Sequence, residues 1–298
     1  MSVFPFIEAE KAEQVGTVAK ACELLEVSRS AFYQWSKHVP SRRQLADNEL
    51  GERIEEIHTG SRGTYGWPRV HQALRREAIH CSRKRVARIM RQRGLIGRCR
   101  RRWTKTTISD PEAAAVDLVK RAFGPGTVEL DRIYVGDITY IWTFEGWLYL
   151  ATVIDLASRR VVGWAMAEHM RAELVCDALR MAIEARRPAP GLIFHSDRGT
   201  QYNSEQYRHL LDAHEIRQSF SRPGQCWDNA VAEAWFSTLK MELIDRRSWA
   251  TRAQARRAVF EFVEVFYNRQ RLHSSLGYLS PAEYEARRIH QQEAAQAA

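Results

Sequence analysis

The sequence predicts an α/β protein in which a mixed five-stranded sheet flanked by helices follows N-terminal, all-α helix-turn-helix units. Three observations predict this fold class. The first third of the chain repeats apolar residues at helical spacing. From Ile133 onward, three extended apolar runs follow one another with short turns between them. Beyond those runs, helical and extended patterns alternate, as they do where helices cover a sheet.

Residues 1–40 form the first predicted unit, a helix-turn-helix-like segment. Apolar residues recur at helical spacing over residues 17–25. A short turn follows, and Ser28 is a suitable N-cap for a second helix over Arg29–Ser36. Two short helices joined by such a turn can place the second helix in the major groove of DNA.

Residues 41–110 form the second predicted unit, a basic helix-turn-helix-like DNA-binding domain. One helix begins at Pro68, and Ser82 caps another helix that ends at Gln92. Gly94 then suits the position just after that helix.

Positive charge is concentrated in this second unit. The whole chain has a formal net charge of +9, and residues 41–105 hold 18 Lys or Arg against 6 Asp or Glu. Residues 83–105 contain 11 basic residues and no acidic one. A solvated helix face is the alternative, but so long an acid-free stretch favours binding to a polyanion. The cations expected to contact DNA are Arg29, Arg83, Lys84, Arg85, Arg88, Arg91, Arg100, Arg101 and Arg102.

A linker over residues 111–124 leads into residues 125–245, which contain the predicted sheet. Three hairpin-linked strands come first, and α/β units follow them. The predicted strands cover residues 133–139, 148–154, 161–167, 192–194 and 216–220, and the predicted helices cover 172–185 and 205–214.

Three acidic residues of this region are candidate metal ligands. Asp137 lies within the first strand by two-residue alternation, and Asp197 follows a short buried strand at the end where ligands gather. Glu233 comes 36 residues later, on a helix. Carboxylates in a basic protein indicate metal-assisted phosphoryl chemistry on nucleic acid, because phosphates attract cations and Mg²⁺ prefers oxygen ligands. We therefore expect Mg²⁺, bound as two ions that Mn²⁺ can replace.

The helix that carries Glu233 also carries Lys240. Both residues follow one stripe of the helix, next to its apolar face. That apolar face consists of Ala232, Trp235, Phe236, Leu239 and Leu243. A carboxylate at the edge of the core could then reach a metal, while the ammonium meets a DNA phosphate.

Two other residues near the acids leave alternatives open. Asp155 ends the second predicted strand and is a rival metal ligand, although the favoured interpretation is a turn acid that pairs with Arg159 or Arg160. His195, two residues before Asp197, either contacts the DNA substrate or forms a structural hydrogen bond.

At these residues the chain resembles the insertion-sequence transposases of the retroviral-integrase superfamily, over about residues 28–281. The motifs that carry the resemblance include Asp137-Ile-Thr-Tyr, His195-Ser-Asp197-Arg-Gly-Thr-Gln-Tyr202, Asp228-Asn-Ala-Val-Ala-Glu233 and Tyr267-Asn-Arg-Gln-Arg271-Leu-His273. The resemblance implies a ribonuclease-H-like, integrase-type catalytic core with a D-D-35-E triad at Asp137, Asp197 and Glu233. It also implies Mg²⁺-dependent cutting and joining of element ends, with Lys240 in contact with DNA near the active site.

Two positions depart from the pattern of that family. Gly136 stands where a threonine or a similar residue is common, and Ala78 stands where a turn glycine is usual. Such elements often supply an upstream frame, with its own helix-turn-helix and coiled coil, that is joined by frameshifting. This chain has no long heptad repeat, which favours a second-frame product that works with an upstream-frame partner or fusion.

Residues 246–298 are predicted to form a C-terminal helical extension. Ala258, Phe262, Val265 and Phe266 share a helical stripe that would pack on the core. An extended segment and a frayed terminal helix are expected to follow.

The function expected from the sequence is that of a DNA transposase that cleaves the ends of a mobile element and transfers their 3′-OH strands. A hydrolytic nuclease on the same fold is a second hypothesis, and an inactive or regulatory DNA-binding relic is a third. The expected partners are double-stranded DNA, at element ends and target, and further copies of the chain. No apolar run is long enough for a membrane span and no secretory signal is evident, so we expect a cytoplasmic, nucleoid-associated bacterial protein.

Overall fold

Residues 3–12, 17–37, 40–98, 127–220 and 230–297 are described by the computed structural model. The chain divides into two units, Met1–Gly97 and Arg98–Ala298. The predicted DNA contacts Arg100, Arg101 and Arg102 and the predicted linker over 111–124 lie outside the described residues.

The described residues of the first unit build six α-helices. They are α1 (Phe4–Ala12), α2 (Val18–Leu24), α3 (Arg29–Ser36), α4 (Arg42–Gly60), α5 (Trp67–Arg76) and α6 (Arg83–Gln92). Helices α1 to α3 pack around the buried side chains of Ile7, Cys22 and Phe32. The Ser28 hydroxyl accepts a hydrogen bond from the Ala31 amide at 3.4 Å, so the predicted cap of α3 is confirmed. Helix α1 was not among the predicted elements.

Helices α4, α5 and α6 form the basic part of this unit. Ile54, Leu74 and Val86, one from each helix, are fully buried. The Ser82 hydroxyl caps α6 by accepting from the Arg85 amide at 3.2 Å. Gly94 follows α6 with a φ of +66°, the left-handed conformation that ends many helices, as predicted.

The second unit contains the predicted five-stranded mixed sheet. Its strands are β1 (Ile133–Thr143), β2 (Gly146–Asp155), β3 (Val161–Ala167), β4 (Ile193–Ser196) and β5 (Arg217–Phe220). They lie in the order β3-β2-β1-β4-β5. The first three strands are antiparallel, and β4 and β5 run parallel to β1. The predicted architecture is therefore confirmed.

The described residues of the second unit also form α-helices, several of which contact the sheet. They are α7 (Ala172–Arg186), α8 (Glu205–Ala213), α9 (Ala230–Glu242), α10 (Arg252–Phe260) and α11 (Pro281–Gln296). Residues of α7 and α8 pack against the sheet face that carries Tyr134, Ala151 and Val153. Val135 and Leu150, which have the opposite alternation, are also buried, and α9 and α10 contact β1.

The C-terminal segment differs from its prediction at Val265. Helix α10 continues as π-helical turns over Glu261–Tyr267, and Val265 is 44 % exposed instead of sharing the buried stripe. A π-helical turn holds more residues than an α-turn and so rotates Val265 away from the core. Helix α11 begins at a capping box formed by Ser280 and Glu283, and buried Glu285 binds Arg186, while fraying of this helix stays a prediction.

Within the described residues, no helix is both long and apolar enough to cross a membrane.

Candidate active site

Strand pairing brings the first two acids side by side. Strands β1 and β4 are parallel, and Val135 is paired with His195. Asp137 and Asp197 each come two residues later, at the point where β4 has ended and β1 continues. The Asp137 side chain is half-buried, whereas Asp197 is exposed. Asp137, within β1, and Asp197, just after β4, therefore both lie near the carboxyl end of β4, where ligands gather in such sheets.

Helix α9 supplies the third acid and a cation. Its apolar face is buried as predicted, through Ala232, Trp235, Phe236, Leu239 and, just after the helix, Leu243. Glu233 lies exposed in the first turn of α9, and Lys240 is half-buried near its end. The Lys240 Nζ lies 5.3 Å from the ring centroid of Tyr140 on β1. Packing of the helix on β1 thus holds both charged groups close to the strand that carries Asp137.

The surroundings of Asp137 raise the pKa of its carboxyl group. Burial is the main cause that raises it, to about 7 from an ordinary 3.8. The carboxylates of Asp197 and Glu233 raise it further, while the Ile138 amide and the Lys240 ammonium lower it. Charges influence a pKa in this way only when they are near the group. The charged groups of Asp197, Glu233 and Lys240 therefore lie within electrostatic range of Asp137.

Gly136, one of the departures noted in the sequence, is required by the wall behind this site. A Cβ at Gly136 would lie 2.3 Å from Cζ of Phe194 and 3.3 Å from Oη of Tyr202. Both distances are too short for ordinary contact, the first by far. The aromatic ring of Phe194 thus occupies the space that a threonine side chain would need.

Tyr202 is a residue of the site that was not predicted. Its side chain is buried, and burial, followed by the charges of Asp137 and Asp197, holds its pKa well above the usual range. The phenol is therefore neutral and lies within electrostatic reach of both aspartates. Its position in the motif that runs from His195 to Tyr202 is the sequence signal that could have indicated it.

The chemistry of these donors fits a hard divalent cation, which prefers carboxylate oxygen. In the described arrangement, Asp137 Oδ1 accepts from the Ile138 amide at 2.7 Å, and Asp197 Oδ1 accepts from the Gly199 amide at 3.0 Å. Opposite Asp137 on β2 lies Thr152, whose buried hydroxyl has no hydrogen-bond partner among the described residues. Within those same residues, no three His, Cys, Asp or Glu side chains stand close enough together to hold a metal as they are oriented.

Asp155 is a turn acid at the far end of β2. Its buried carboxylate accepts from the Ser158 amide at 2.8 Å, from the Ser158 hydroxyl at 2.6 Å and from the Asp131 amide at 3.1 Å. Burial raises its pKa to about 6, and the bonds from Ser158 oppose that rise. Arg160, one of its two expected partners, pairs instead with Glu285. The rival metal ligand is thus occupied in holding a turn.

His195 is a structural histidine, and the expectation that it contacts DNA is wrong. Its side chain is 0 % exposed, in the strand between β1 and β5. Nδ1 lies 2.9 Å from the Ser219 hydroxyl. Asp197 is exposed because β4 has ended before it, whereas His195 is still inside the sheet.

The predicted DNA-contacting cations of α6 fall into two groups. Arg85 Nε and Arg88 Nη2 each donate to the carboxylate of Asp47 on α4 at 2.7 Å. These two arginines therefore contribute to packing within the unit. Arg83, Lys84 and Arg91 are exposed on α6, and Arg29 is exposed at the start of α3. Contact of these four with DNA stays a prediction.

Family models match nearly all of the second unit's sheet and most of α4 to α6. The model described as "Integrase core domain" matches residues 129–226, and another with the same description matches residues 214–281. A model described as "HTH-like domain" matches residues 45–103. These matches, together with the sheet topology, confirm the predicted ribonuclease-H-like, integrase-type core and the helical domain before it.

Two curated relatives are similar along almost their whole length. Transposase InsF for insertion sequence IS3A, from Escherichia coli (strain K12), is 37 % identical over 292 residues, which cover 96 % of this chain and 99 % of that protein. The insertion element IS600 uncharacterized 31 kDa protein of Shigella sonnei is 39 % identical over 264 residues, or 88 % of this chain and 96 % of that protein. Among solved structures, the HTLV-2 integrase catalytic core domain in complex with magnesium (trimeric form) has 15 % identity and a TM-score of 0.40, and covers 55 % of this chain and 99 % of that one.

Proposed function

The chain belongs to the family of IS3-type insertion-sequence transposases that carry an integrase core domain, and from this premise we propose the reaction and the residues that perform it. The reaction is divalent-metal-dependent cleavage at the ends of a mobile element, followed by transfer of the freed 3′-OH to target DNA. Asp137, Asp197 and Glu233 are its catalytic carboxylates.

One observation carries this proposal: β1 and β4 pair so that Asp137 and Asp197 follow the same paired positions, and α9, with Glu233 and Lys240, packs on β1. Acids at the surface of a basic protein are usually dispersed and solvated. Carboxylates that lie near one another repel, and a bound divalent cation would offset that repulsion. Their position at the carboxyl end of β4 is where substrates bind in sheets of this kind.

Each group has a defined task in the two chemical steps. In cleavage, a water oxygen forms a bond to phosphorus while the bond to the 3′ oxygen breaks, and the departing oxygen becomes a 3′-OH. In strand transfer, that 3′-OH attacks a phosphodiester of the target, whose own 3′ oxygen leaves, so that the number of phosphodiester bonds is conserved. Lys240 binds a non-bridging phosphate oxygen beside Asp137. Tyr202, neutral and buried, closes the back of the site to water.

The three carboxylates would hold Mg²⁺, as two ions that Mn²⁺ can replace, and when bound these ions supply activation of the attacking oxygen and stabilisation of the leaving one. The described orientation of the side chains does not yet bring three ligands to one point. Reorientation of Asp137 and Asp197 away from the amides of Ile138 and Gly199 is therefore part of the proposal.

The first unit binds the ends of the element in this proposal. Arg83, Lys84 and Arg91 on α6 contact phosphates, and Arg29 is placed to do so at the start of α3. Several copies of the chain, with or without an upstream-frame partner, would assemble on the paired ends.

The test is cleavage and strand transfer on labelled element-end DNA with Mg²⁺. Glu233→Gln removes one charge at nearly constant size, and we expect it to abolish both products. Glu205→Gln is the matched control, because Glu205 also lies exposed in the first turn of a helix of this unit. Omission of the divalent metal should have the same effect as Glu233→Gln.

Equal product from Glu233→Gln and the unaltered chain would overturn the assignment of the triad. Cleaved but never joined DNA would indicate a nuclease. Bound but unchanged DNA, even with an upstream-frame protein added, would indicate a DNA-binding relic.

A further inference from the structure

The hairpin formed by β1 and β2 exposes several large aromatic side chains. Tyr140 and Trp142 on β1 are each 54 % exposed, and Trp147 on β2 is 42 % exposed. Their rings pack edge to face, with centroid distances of 5.0 Å between Tyr140 and Trp147 and 4.8 Å between Trp142 and Trp147. We refer to Tyr140, Trp142 and Trp147 as the aromatic platform. Single aromatic residues are common at a protein surface, but several in one contiguous exposed patch indicate an interaction site.

The pairing of Trp142 with Trp147 across the two strands stabilises the hairpin, but it does not require the outer faces of the rings to stay exposed. The opposite face of the same hairpin is its packed side, where Ile141, Leu148 and Leu150 are buried. On the platform's own face, the core beneath α7 and α8 includes Ala151, Val153 and the partly buried Tyr149, and the platform extends beyond it. The three rings thus lie on the same face of the sheet as this core, but beyond its end, where they are exposed to solvent.

Lys240 connects the platform with the candidate active site. The platform lies on the opposite face of β1 from Asp137, and Tyr140 is three residues, or roughly 10 Å, further along the strand. Strand β4 pairs with β1 only from Ile133 to Val135, so the edge of β1 next to Tyr140 is not covered by β4. Lys240 has its ammonium over the Tyr140 ring and also lowers the pKa of Asp137.

The charges around the platform favour a polyanion over a protein partner. Lysine is depleted at the centre of protein interfaces, whereas stacking rings beside a cation are typical of sites for unpaired nucleotides. The acids near the hairpin tip are already engaged, since Arg252 donates its amide to Glu145 at 2.8 Å and pairs with Glu168 at 3.0 Å. Glu145 and Glu168 therefore each have a partner other than Lys240.

We propose that the aromatic platform binds unpaired nucleotides of the DNA substrate next to the phosphodiester that reacts. Their bases stack on Trp142, Trp147 and Tyr140, and their backbone passes Lys240 around the edge of β1 toward Asp137. The inference rests on the proposed function for the identity of the substrate as DNA. It adds a site that holds bases outside a duplex, independent of their sequence.

Binding by the full chain carrying Glu233→Gln tests this site without turnover. Three fluorescent DNAs are compared: a blunt duplex, the same duplex with a short unpaired overhang, and that overhang made abasic. We expect the overhang to bind more tightly than its abasic form by roughly 5- to 150-fold per stacked base. Trp142→Ala and Trp147→Ala should remove most of that difference, Trp142→Phe should keep part of it, and none should alter binding of the blunt duplex.

Phe260→Ala is the matched control, because Phe260 is 51 % exposed in the same unit but not on the hairpin. If the full chain carrying only Glu233→Gln binds normal and abasic overhangs with equal affinity, the proposal is overturned, whether or not the platform variants fold. An equal loss of affinity for blunt and overhang DNA in the tryptophan variants also overturns it. A change in the sedimenting mass of Trp142→Ala without a change in DNA affinity overturns it as well, since the platform would then be an interface between copies of the chain. Because the assay measures binding, loss of strand transfer alone would count against the proposed reaction and not against the platform.

Discussion

The carboxyl group of Asp137 is held where ionisation is unfavourable. Burial, and then the nearby Asp197 and Glu233, raise its pKa from 3.8 to about 7. The native protein therefore binds this proton more tightly than the unfolded chain does. The stabilisation that comes from this tighter proton binding is lost as the pH rises from about 4 to about 7. Above about pH 7, this group no longer changes the free energy of unfolding.

Asp137→Asn should therefore stabilise the metal-free protein at pH 8. The amide has the same size and carries no charge to repel Asp197 and Glu233. We expect a gain in the free energy of unfolding on the order of 1 kcal/mol or more at pH 8, which shrinks toward zero near pH 4. Denaturant unfolding at several pH values measures it, with Asp212→Asn, at an exposed position of α8, as the control. A loss of stability at pH 8 would show that the carboxylate is instead favourably paired.

Ala78 shows backbone strain at a single residue of the turn between α5 and α6. Its φ is +60°, in the left-handed region that glycine tolerates better than alanine. Ala78→Gly should raise the free energy of unfolding by about 0.5 kcal/mol, since relief of strain exceeds the added entropy of the unfolded chain. Thermal unfolding tests this. Ala73→Gly, within α5, should lower stability by about 1 kcal/mol, and equal effects of both changes would refute the strain argument.

Helix α9 is fixed in place by an ion pair inside the protein. Arg271 donates to Glu242 at the end of α9 through two bonds, of 2.8 and 2.6 Å, and both side chains are almost fully buried. Arg271 Nη1 also lies 3.2 Å from His273 Nε2. Through Arg271, the motif from Tyr267 to His273 therefore acts as a clamp, meaning that it holds the end of the helix that carries Glu233.

Arg271→Ala should destabilise the protein by about 3–5 kcal/mol, because it leaves the Glu242 carboxylate buried without its partner. Urea unfolding provides the measurement. Arg180→Ala removes an exposed pair with Asp177 and should cost less than about 1 kcal/mol. If the two variants were equally stable, the clamp would not hold α9.

The basic residues of α6 fall into two groups. Arg85 and Arg88 pair with Asp47, whereas Arg83, Lys84 and Arg91 are exposed. Removing the charge of Arg83, Lys84 or Arg91 should lower the slope of log affinity against log salt by about 1 each. Arg85→Ala should instead reduce the stability of the unit, because Asp47 loses one of its two arginines. DNA binding measured at several salt concentrations tests the difference, with Arg287→Ala on α11 as the control. An unchanged slope in all three α6 variants would rule out this helix as the DNA-binding face.

Over the whole molecule, features with a local cause were predictable from the sequence. Two-residue alternation placed Asp137 within β1, and the apolar stripe of α9 placed Glu233 beside the core. The caps at Ser28 and Ser82 also have purely local causes, and the structure contains them.

Features that depend on distant partners were not predictable in the same way. Asp47 binds arginines 38 and 41 residues away, which no local pattern reveals. His195 is buried because β5 lies beside β4 and offers Ser219. The exposure of Val265 follows from a π-helical turn, which breaks the 3.6-residue period that the prediction assumed.

The central claim is that three acids from β1, the end of β4 and α9 act as one catalytic site. The most direct measurement is strand transfer of precut element ends by Asp137→Asn, Asp197→Asn and Glu233→Gln, side by side in Mg²⁺ and in Mn²⁺. Each variant should lose more than about 100-fold in rate while its affinity for the DNA ends is retained, because loss of a metal ligand disables the site as a unit. A variant that keeps the rate of the unaltered chain would show that its residue is not part of the catalytic site.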